Sequence, residues 1–207
     1  MDETWVATLA KAQILLLDFD GPVCSVFAGV PAAAVATQLR SELADSSPAD
    51  DPFAVLRFAA TVSAEQAAFV EAALTAHEVE AIKSAEPTPG AHELIAGWHA
   101  SGRPLAIVSN NSRVAIESYL DLYGLRGSID CIAAREGAGT PLKPDPYLVT
   151  KALTALDAEA KQSVLIGDSP SDVDAAVAAG VTAIGYANKP GKRLALAKAA
   201  AITETLV

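Results

Sequence analysis

Five short runs, apolar at nearly every position instead of every second one, narrow the fold more than anything else in this chain: "ILLLD" at 14–18, "LAIVS" at 105–109, "IDCIA" at 129–133, "SVLIGD" at 163–168 and "VTAIG" at 181–185. A strand with one wet face alternates, whereas a strand covered on both faces does not. The runs therefore predict a parallel sheet with helices above and below it. Helix-like stretches separate them, beginning with "AHELIAGWHAS" at 91, "SRVAIESYLDLYG" at 112, "DPYLVTKALTALD" at 145 and "SPSDVDAAVAAG" at 169. In the second of these, Val114, Ile116, Tyr119, Leu120 and Tyr123 fall near helical spacing, and Gly124 stands where a C-terminal cap belongs. Alternating strand and helix predicts a doubly wound, Rossmann-like α/β core whose functional groups gather at the carboxyl ends of the strands.

The stretch from Pro22 to about Pro87 breaks that rhythm. It carries helical segments around Val35–Leu43, Phe53–Thr61 and Ala64–Ile82, a loop at "ADSSPADDP", and no convincing strand. The expected organisation is an α/β core made of residues 1–21 and 88–207, with a helical cap at 22–87 inserted after the first strand. The short segments 21–23 and 86–90 would then be the hinges about which the cap opens and closes.

Bulk properties exclude several functions. Fifteen Lys and Arg against 25 Asp and Glu give a net charge of −10 with no basic cluster, which argues against nucleic acid or an anionic membrane as partner. No apolar run approaches the roughly 20 residues needed to span a bilayer. Cys24 and Cys131 make no disulfide framework, and "MDETWVATLAKAQ" lacks the basic start and apolar stretch of a secretion signal, so a cytoplasmic protein is expected. A monomer or small homo-oligomer suits this size. Cys24 reads as a small buried filler, and His77, His92 and His99 show no ligand spacing.

Polar residues cluster at the ends of the apolar runs. Asp18 and Asp20 follow the first, with Gly21 directly behind; Ser109 and Asn110 end the second; Lys143 precedes "PDPY"; Asp168 and Asp172 end "IGDSPSD". Two carboxylates beside an apolar run repel each other and resist burial, so a fold that keeps both charged supplies a cation or protonates one. Three carboxylates, an ammonium, a hydroxyl and exposed backbone N–H groups match the needs of magnesium-assisted phosphoryl transfer. Mg2+ prefers carboxylate and phosphate oxygens and offsets the repulsion between an attacking carboxylate and a phosphate dianion. Lys143 offers a point charge to the transferring group, and Ser109 a neutral donor.

In order and spacing, "DFDGPVC", "SNN", "KPDPY" and "GDSPSD" resemble the four motifs of the haloacid dehalogenase superfamily of phosphohydrolases, in the branch similar to phosphoglycolate phosphatase. The resemblance implies that Asp18 is the nucleophile, forming an aspartyl-phosphate, and that Asp20 is the general acid and then the base. It further implies that Mg2+ is held by Asp18, the Asp20 carbonyl and Asp168, with Asp172 supporting from behind. Ser109, Asn110 and Lys143 would bind phosphate, and the substrate would be a small phosphorylated metabolite. Position 22 departs from the pattern: proline stands where many relatives have threonine, which removes a backbone donor from the turn. In the cap, Arg40, Arg57 and Lys83 are the cations available to an anionic substrate tail. A phosphosugar mutase would share every catalytic group, and a non-catalytic phosphate-binding relative would share the fold. A receiver module would place its phosphoacceptor on a later strand and lack the insert.

Overall fold

The computed structural model describes residues 3–43 and 50–206; most of the expected loop "ADSSPADDP" lies outside these residues. In chain order the elements are α1 (Glu3–Lys11), β1 (Ile14–Leu17), β2 (Cys24–Ser25), α2 (Ala32–Leu43), α3 (Pro52–Val62), α4 (Ala64–Ile82) and β3 (Glu86–Pro87). There follow α5 (Ala91–Ala100), β4 (Leu105–Ser112), α6 (Arg113–Leu122), β5 (Cys131–Arg135), α7 (Tyr147–Ala155), β6 (Ser163–Gly167), α8 (Pro170–Ala178), β7 (Thr182–Tyr186), α9 (Lys192–Ala195) and β8 (Ala201–Thr203).

Six strands form one sheet in the order β5-β4-β1-β6-β7-β8, and every pair in it is parallel. Strand β1 is buried along its whole length. Its Leu15 and Leu17 pack with Ile107, Ile166 and Trp98 on one face, while Ile14 and Leu16 pack with Val108, Leu148 and Val173 on the other. This two-sided burial is why the run does not alternate. The order reverses direction at β1, with β4 on one side and β6 on the other, so the carboxyl end of β1 lies in the crevice where such sheets bind ligands.

Local chemistry sets the helix ends. Asp51 caps α3 by accepting from the Phe53 and Ala54 amides, with Pro52 at the first helical position. Ser63 caps α4 and Ser112 caps α6. After α6 the chain turns at Gly124 with φ of +67°, and the Leu125 amide reaches back to the Leu120 carbonyl, so the expected glycine cap is present.

Three differences from the sequence reading have local causes. The third run pairs as Cys131–Arg135, two residues later than expected, because Asp130 turns its carboxylate to the Leu105 amide. Between 22 and 87, where no strand was expected, Cys24 and Ser25 pair antiparallel with Pro87 and Glu86. A two-residue ribbon is too short to leave a pattern in sequence. Strand β8 and helix α1, whose Trp5 is buried, extend the core at the ends of the chain.

The three helices α2, α3 and α4 share an apolar cluster of their own that includes Val35, Leu39, Val55, Leu56, Val70 and Leu74. Helix α4 also reaches beyond it, because Ala81 and Ile82 belong to the main cluster beside the sheet.

Candidate active site

The carboxyl ends of β1, β4 and β6 place Asp18, Ser109 and Asp168 around one cavity of about 550 Å3, which Lys143 and Asp172 also line. Helix α3 covers it with Phe53, Leu56 and Arg57.

Glycine lets the acids approach. Gly21 has φ of +109°, and a Cβ there would lie 2.4–2.9 Å from the Asp168 carboxylate. At Gly167 a Cβ would meet the Asp172 side chain at 2.3–2.6 Å. Any side chain at either position would push the carboxylates apart. Pro22 is accommodated because its neighbours close the turn: the Gly21 amide donates to Cys24 O at 2.7 Å, Val23 N to Phe19 O at 3.1 Å, and Thr88 Oγ1 to Gly21 O at 2.5 Å.

Lys143 sits at the centre and is buried. Its ammonium meets Asp18 Oδ1 at 2.8 Å, Asp172 Oδ1 at 2.5 Å and the Val108 carbonyl at 2.8 Å, which uses its three donors. Burial pulls its pKa down, but the two carboxylates outweigh that, so the lysine stays charged. Asp18 Oδ1 also accepts from the Phe19 amide at 2.7 Å. Burial, then the neighbouring Asp172, push the Asp18 carboxyl up to about 8 against the opposing pull of Lys143. Asp20 is pushed up to about 6 by burial, although its Oδ1 accepts from the Val26 amide at 2.9 Å.

Asp172 has a second task at the start of α8. Its Oδ2 accepts from the Ser169 amide at 3.0 Å and hydroxyl at 2.7 Å, while the Ser169 hydroxyl caps the Asp172 amide. Both carboxylate oxygens are thus engaged by protein.

Asn110 lines the same cavity, and its side chain also binds the backbone of Lys143. Its Oδ1 accepts from Lys143 N at 2.8 Å and its Nδ2 donates to Lys143 O at 3.2 Å, so it clamps the lysine's backbone. The Ser109 hydroxyl donates to Asn111 Oδ1 at 3.1 Å. Of the cap cations, Arg57 lines the cavity and pairs with Asp51 at 3.2 Å. Lys83 pairs with Glu80 on the surface, and Arg40 lies 3.9 Å from Asp50.

Two groups at the site went unnoticed in sequence. The Lys192 ammonium pairs with Asp168 Oδ2, and the Asn188 amide donates to the same oxygen at 3.2 Å. Both stand in "ANKPGK", directly after the β7 run, where the strand-end rule would have found them. Burial raises the Asp168 carboxyl and the Lys192 bond partly offsets it.

Asp18, Asp168 and Asp172 each bring a carboxylate oxygen within 4.8 Å of the others. An all-oxygen donor set around four acids and two ammoniums fits a hard divalent cation.

The fold and the polar clusters at its strand ends define a doubly wound α/β protein with an acidic site at the switch point of its sheet, and the comparison with protein families says which family it is. The model of the haloacid dehalogenase-like hydrolase family matches residues 47–186, and the chain belongs to that family. Among curated proteins, pyrophosphatase PpaX of Halalkalibacterium halodurans is 34% identical over 107 residues, 51% of this chain and 49% of that protein. A plasmid phosphoglycolate phosphatase of Cupriavidus necator is 36% identical over 107 residues, 50% of this chain and 46% of that protein. These alignments span about half the length of each relative. In fold, the chain is similar to CbbY from Rhodobacter sphaeroides in complex with phosphate, with a TM-score of 0.73 at 21% identity, covering 94% of this chain and 95% of that one. It is also similar to β-phosphoglucomutase from Clostridium difficile, with a TM-score of 0.71 at 19% identity over 94% and 92% of the two chains. No helix of the described residues is long and apolar enough to cross a membrane.

Proposed function

We propose that the protein is a Mg2+-dependent phosphatase that hydrolyses a small soluble phosphomonoester through an aspartyl-phosphate on Asp18. The observation that carries the reading is Lys143 bridging Asp18 and Asp172 beneath a cavity rimmed by Asp20, Ser109 and Asp168.

In this reading the Phe19 amide and Lys143 hold Asp18 by Oδ1, and Oδ2 attacks phosphorus. The P–O bond to the leaving group breaks, and Asp20 gives its proton to the departing alkoxide. A carboxyl raised to about 6 is suited to both halves of the cycle. In the second half Asp20 takes a proton from water as the water attacks phosphorus, which frees phosphate and restores the Asp18 carboxylate. Ser109 and Asn110 would receive the phosphate oxygens, the Ser109 hydroxyl turning away from Asn111 Oδ1, while Lys143, whose three donors are held by Asp18, Asp172 and the Val108 carbonyl, would lend its positive charge.

Asp18, Asp168 and the Asp20 carbonyl would hold Mg2+, with Asp172 steadying Lys143 behind them. The cation would supply the positive charge that lets a carboxylate meet a phosphate dianion. Helices α2 to α4 act as the cap over a core of residues 1–21 and 88–207, and α3 screens the cavity from water.

The test is phosphate release from a panel of phosphomonoesters and sugar bisphosphates, with and without Mg2+, on wild type and Asp18→Asn. Metal-dependent release absent from the variant supports the reading. A folded, metal-loaded wild type that releases nothing but isomerises a sugar phosphate would make it a mutase.

A further inference from the structure

Five charged side chains are buried among the described residues: Asp18, Lys143 and Asp172 at the site, and Glu78 and Arg135 outside it. The second group lies where α4 meets the sheet. Arg135 Nη2 donates to Glu78 Oε2 at 2.6 Å, its Nη1 pairs with Glu71 two turns earlier on α4, and its Nε donates to the Asn110 carbonyl at 2.9 Å. Glu78 Oε1 accepts from Asn111 Nδ2 at 3.2 Å, and Oε2 accepts from the Ser112 amide at 2.9 Å.

These bonds fall at one irregularity. The β4–β5 register shifts between Ser109 and Ser112, so the segment between them has no regular ladder to β5. Arg135 and Glu78 take over there, holding the Asn110 carbonyl, the Asn111 side chain and the Ser112 amide. Asn111 in turn engages the Ser109 hydroxyl, and Asn110 clamps Lys143. A buried ion pair is a poor way to gain stability but a directional way to fix geometry.

We infer that Glu78 and Arg135 are positioning residues that hold segment 109–112 in its phosphate-receiving shape, making helix α4 a fixed part of the active site. The part of this inference that concerns phosphate rests on the phosphatase reading. A cap swinging as one body about 21–23 and 86–90 would have to break this clasp, since Glu71 and Glu78 both precede the second hinge.

The test compares wild type with E78Q, with R135K, and with the triple variant E71Q/E78M/R135M, in which all three charges are removed and none is left without its partner. Three quantities are read: amide hydrogen exchange at residues 110–113 against β1 and β6, inhibition by inorganic phosphate, and kcat with KM. In E78Q the amides at 110–113 exchange faster while β1 and β6 keep their protection. The inhibition constant for phosphate and KM rise together, by about tenfold and up to a hundredfold if the loop shifts by an ångström. R135K, which keeps the charge but loses the fork, shows the same changes to a smaller degree. The triple variant melts near wild type yet keeps the fast exchange and weak phosphate binding. A lowered melting temperature with unchanged relative exchange at 110–113 and an unchanged phosphate constant would overturn the inference, leaving a pair that only stabilises. If wild type neither turns over an ester nor binds phosphate, the phosphatase reading fails, and the exchange comparison alone decides the clasp.

Discussion

Two acidic clusters share the segment 109–112, yet their charge is managed in opposite ways. Around Lys143, four carboxylates face two ammoniums, and Asp18, Asp20 and Asp168 all have raised pKa values, chiefly from burial. Around Arg135, two carboxylates share one guanidinium, and every oxygen of Glu78 meets a donor. Both clusters hold two carboxylates for each cation, but in the first the acids are raised by burial and the site is suited to receiving positive charge from a cation. The second is satisfied within the protein, because the Asn111 side-chain amide and the Ser112 backbone amide donate to Glu78 beside the guanidinium. Excess charge of this kind is what a functional site tolerates at a cost in stability, so removing a carboxylate should have opposite consequences in the two places.

The largest effect is expected at Asp18, the proposed nucleophile. Asp18→Asn should lower kcat by at least about 10^4-fold, because the covalent route is lost. Its melting temperature should rise, since an amide next to Asp172 relieves repulsion in a buried site. Chelation of divalent metal should abolish wild-type turnover and Mg2+ should restore it. A variant that loses activity and stability together would place Asp18 in the satisfied class and break the contrast.

Asp20→Asn comes next, with a loss of about 10^2- to 10^4-fold. The loss should be larger for an alkyl phosphate than for an aryl phosphate, whose leaving group needs no proton. The same logic gives a pH dependence. The acid form of Asp20 exists below its raised pKa of about 6 and is lost above it, so the alkyl-to-aryl rate ratio in wild type should fall as pH rises through that value. A ratio flat from pH 5 to 8 would remove Asp20 from the role of acid.

At the satisfied cluster the measurement is stability. Glu78→Ala removes one of the two carboxylates that face buried Arg135 and leaves the Asn111 and Ser112 amides without their acceptor, and should cost about 3–5 kcal/mol, read as a drop of roughly 10 °C in melting temperature. Replacing Glu78 and Arg135 by methionine together with Glu71→Gln should recover most of it. A single variant as stable as wild type would show that the pair is hydrated and that the two clusters do not differ.

How much of this was legible in the sequence depends on the kind of signal. The buried sheet announced itself because Leu15, Leu16 and Leu17 have no polar neighbour to alternate with. The strand-end acids stood out because a carboxylate after an apolar run needs a reason. Glu78 gave no such sign: on α4 it lies in "TAHEVEAI", flanked by residues typical of a solvated helix, and its partner is 57 positions away on another element. Arg135 likewise looks like the polar end of a strand. Long-range pairing of single charges has no period, so only the fold brings it into view. The bonds by which the Asn110 side chain holds the backbone of Lys143, 33 positions away, were invisible for the same reason.

The smallest effect lies at the cavity mouth, where Arg57 and Asp51 pair at 3.2 Å with both side chains about half exposed. A pair in that setting contributes little to folding, so Arg57→Ala should leave the melting temperature nearly unchanged. Its effect should fall on binding: if Arg57 faces the leaving group, KM for an ester with a second anionic group rises several-fold with kcat intact, while KM for a neutral ester stays put. An equal rise for both esters would mean that Arg57 acts by holding the start of α3 through Asp51, and that Phe53 and Leu56, on the same helix, are what the substrate meets. Either result would place the selectivity of the site on α3, the helix that covers the cavity with Phe53, Leu56 and Arg57.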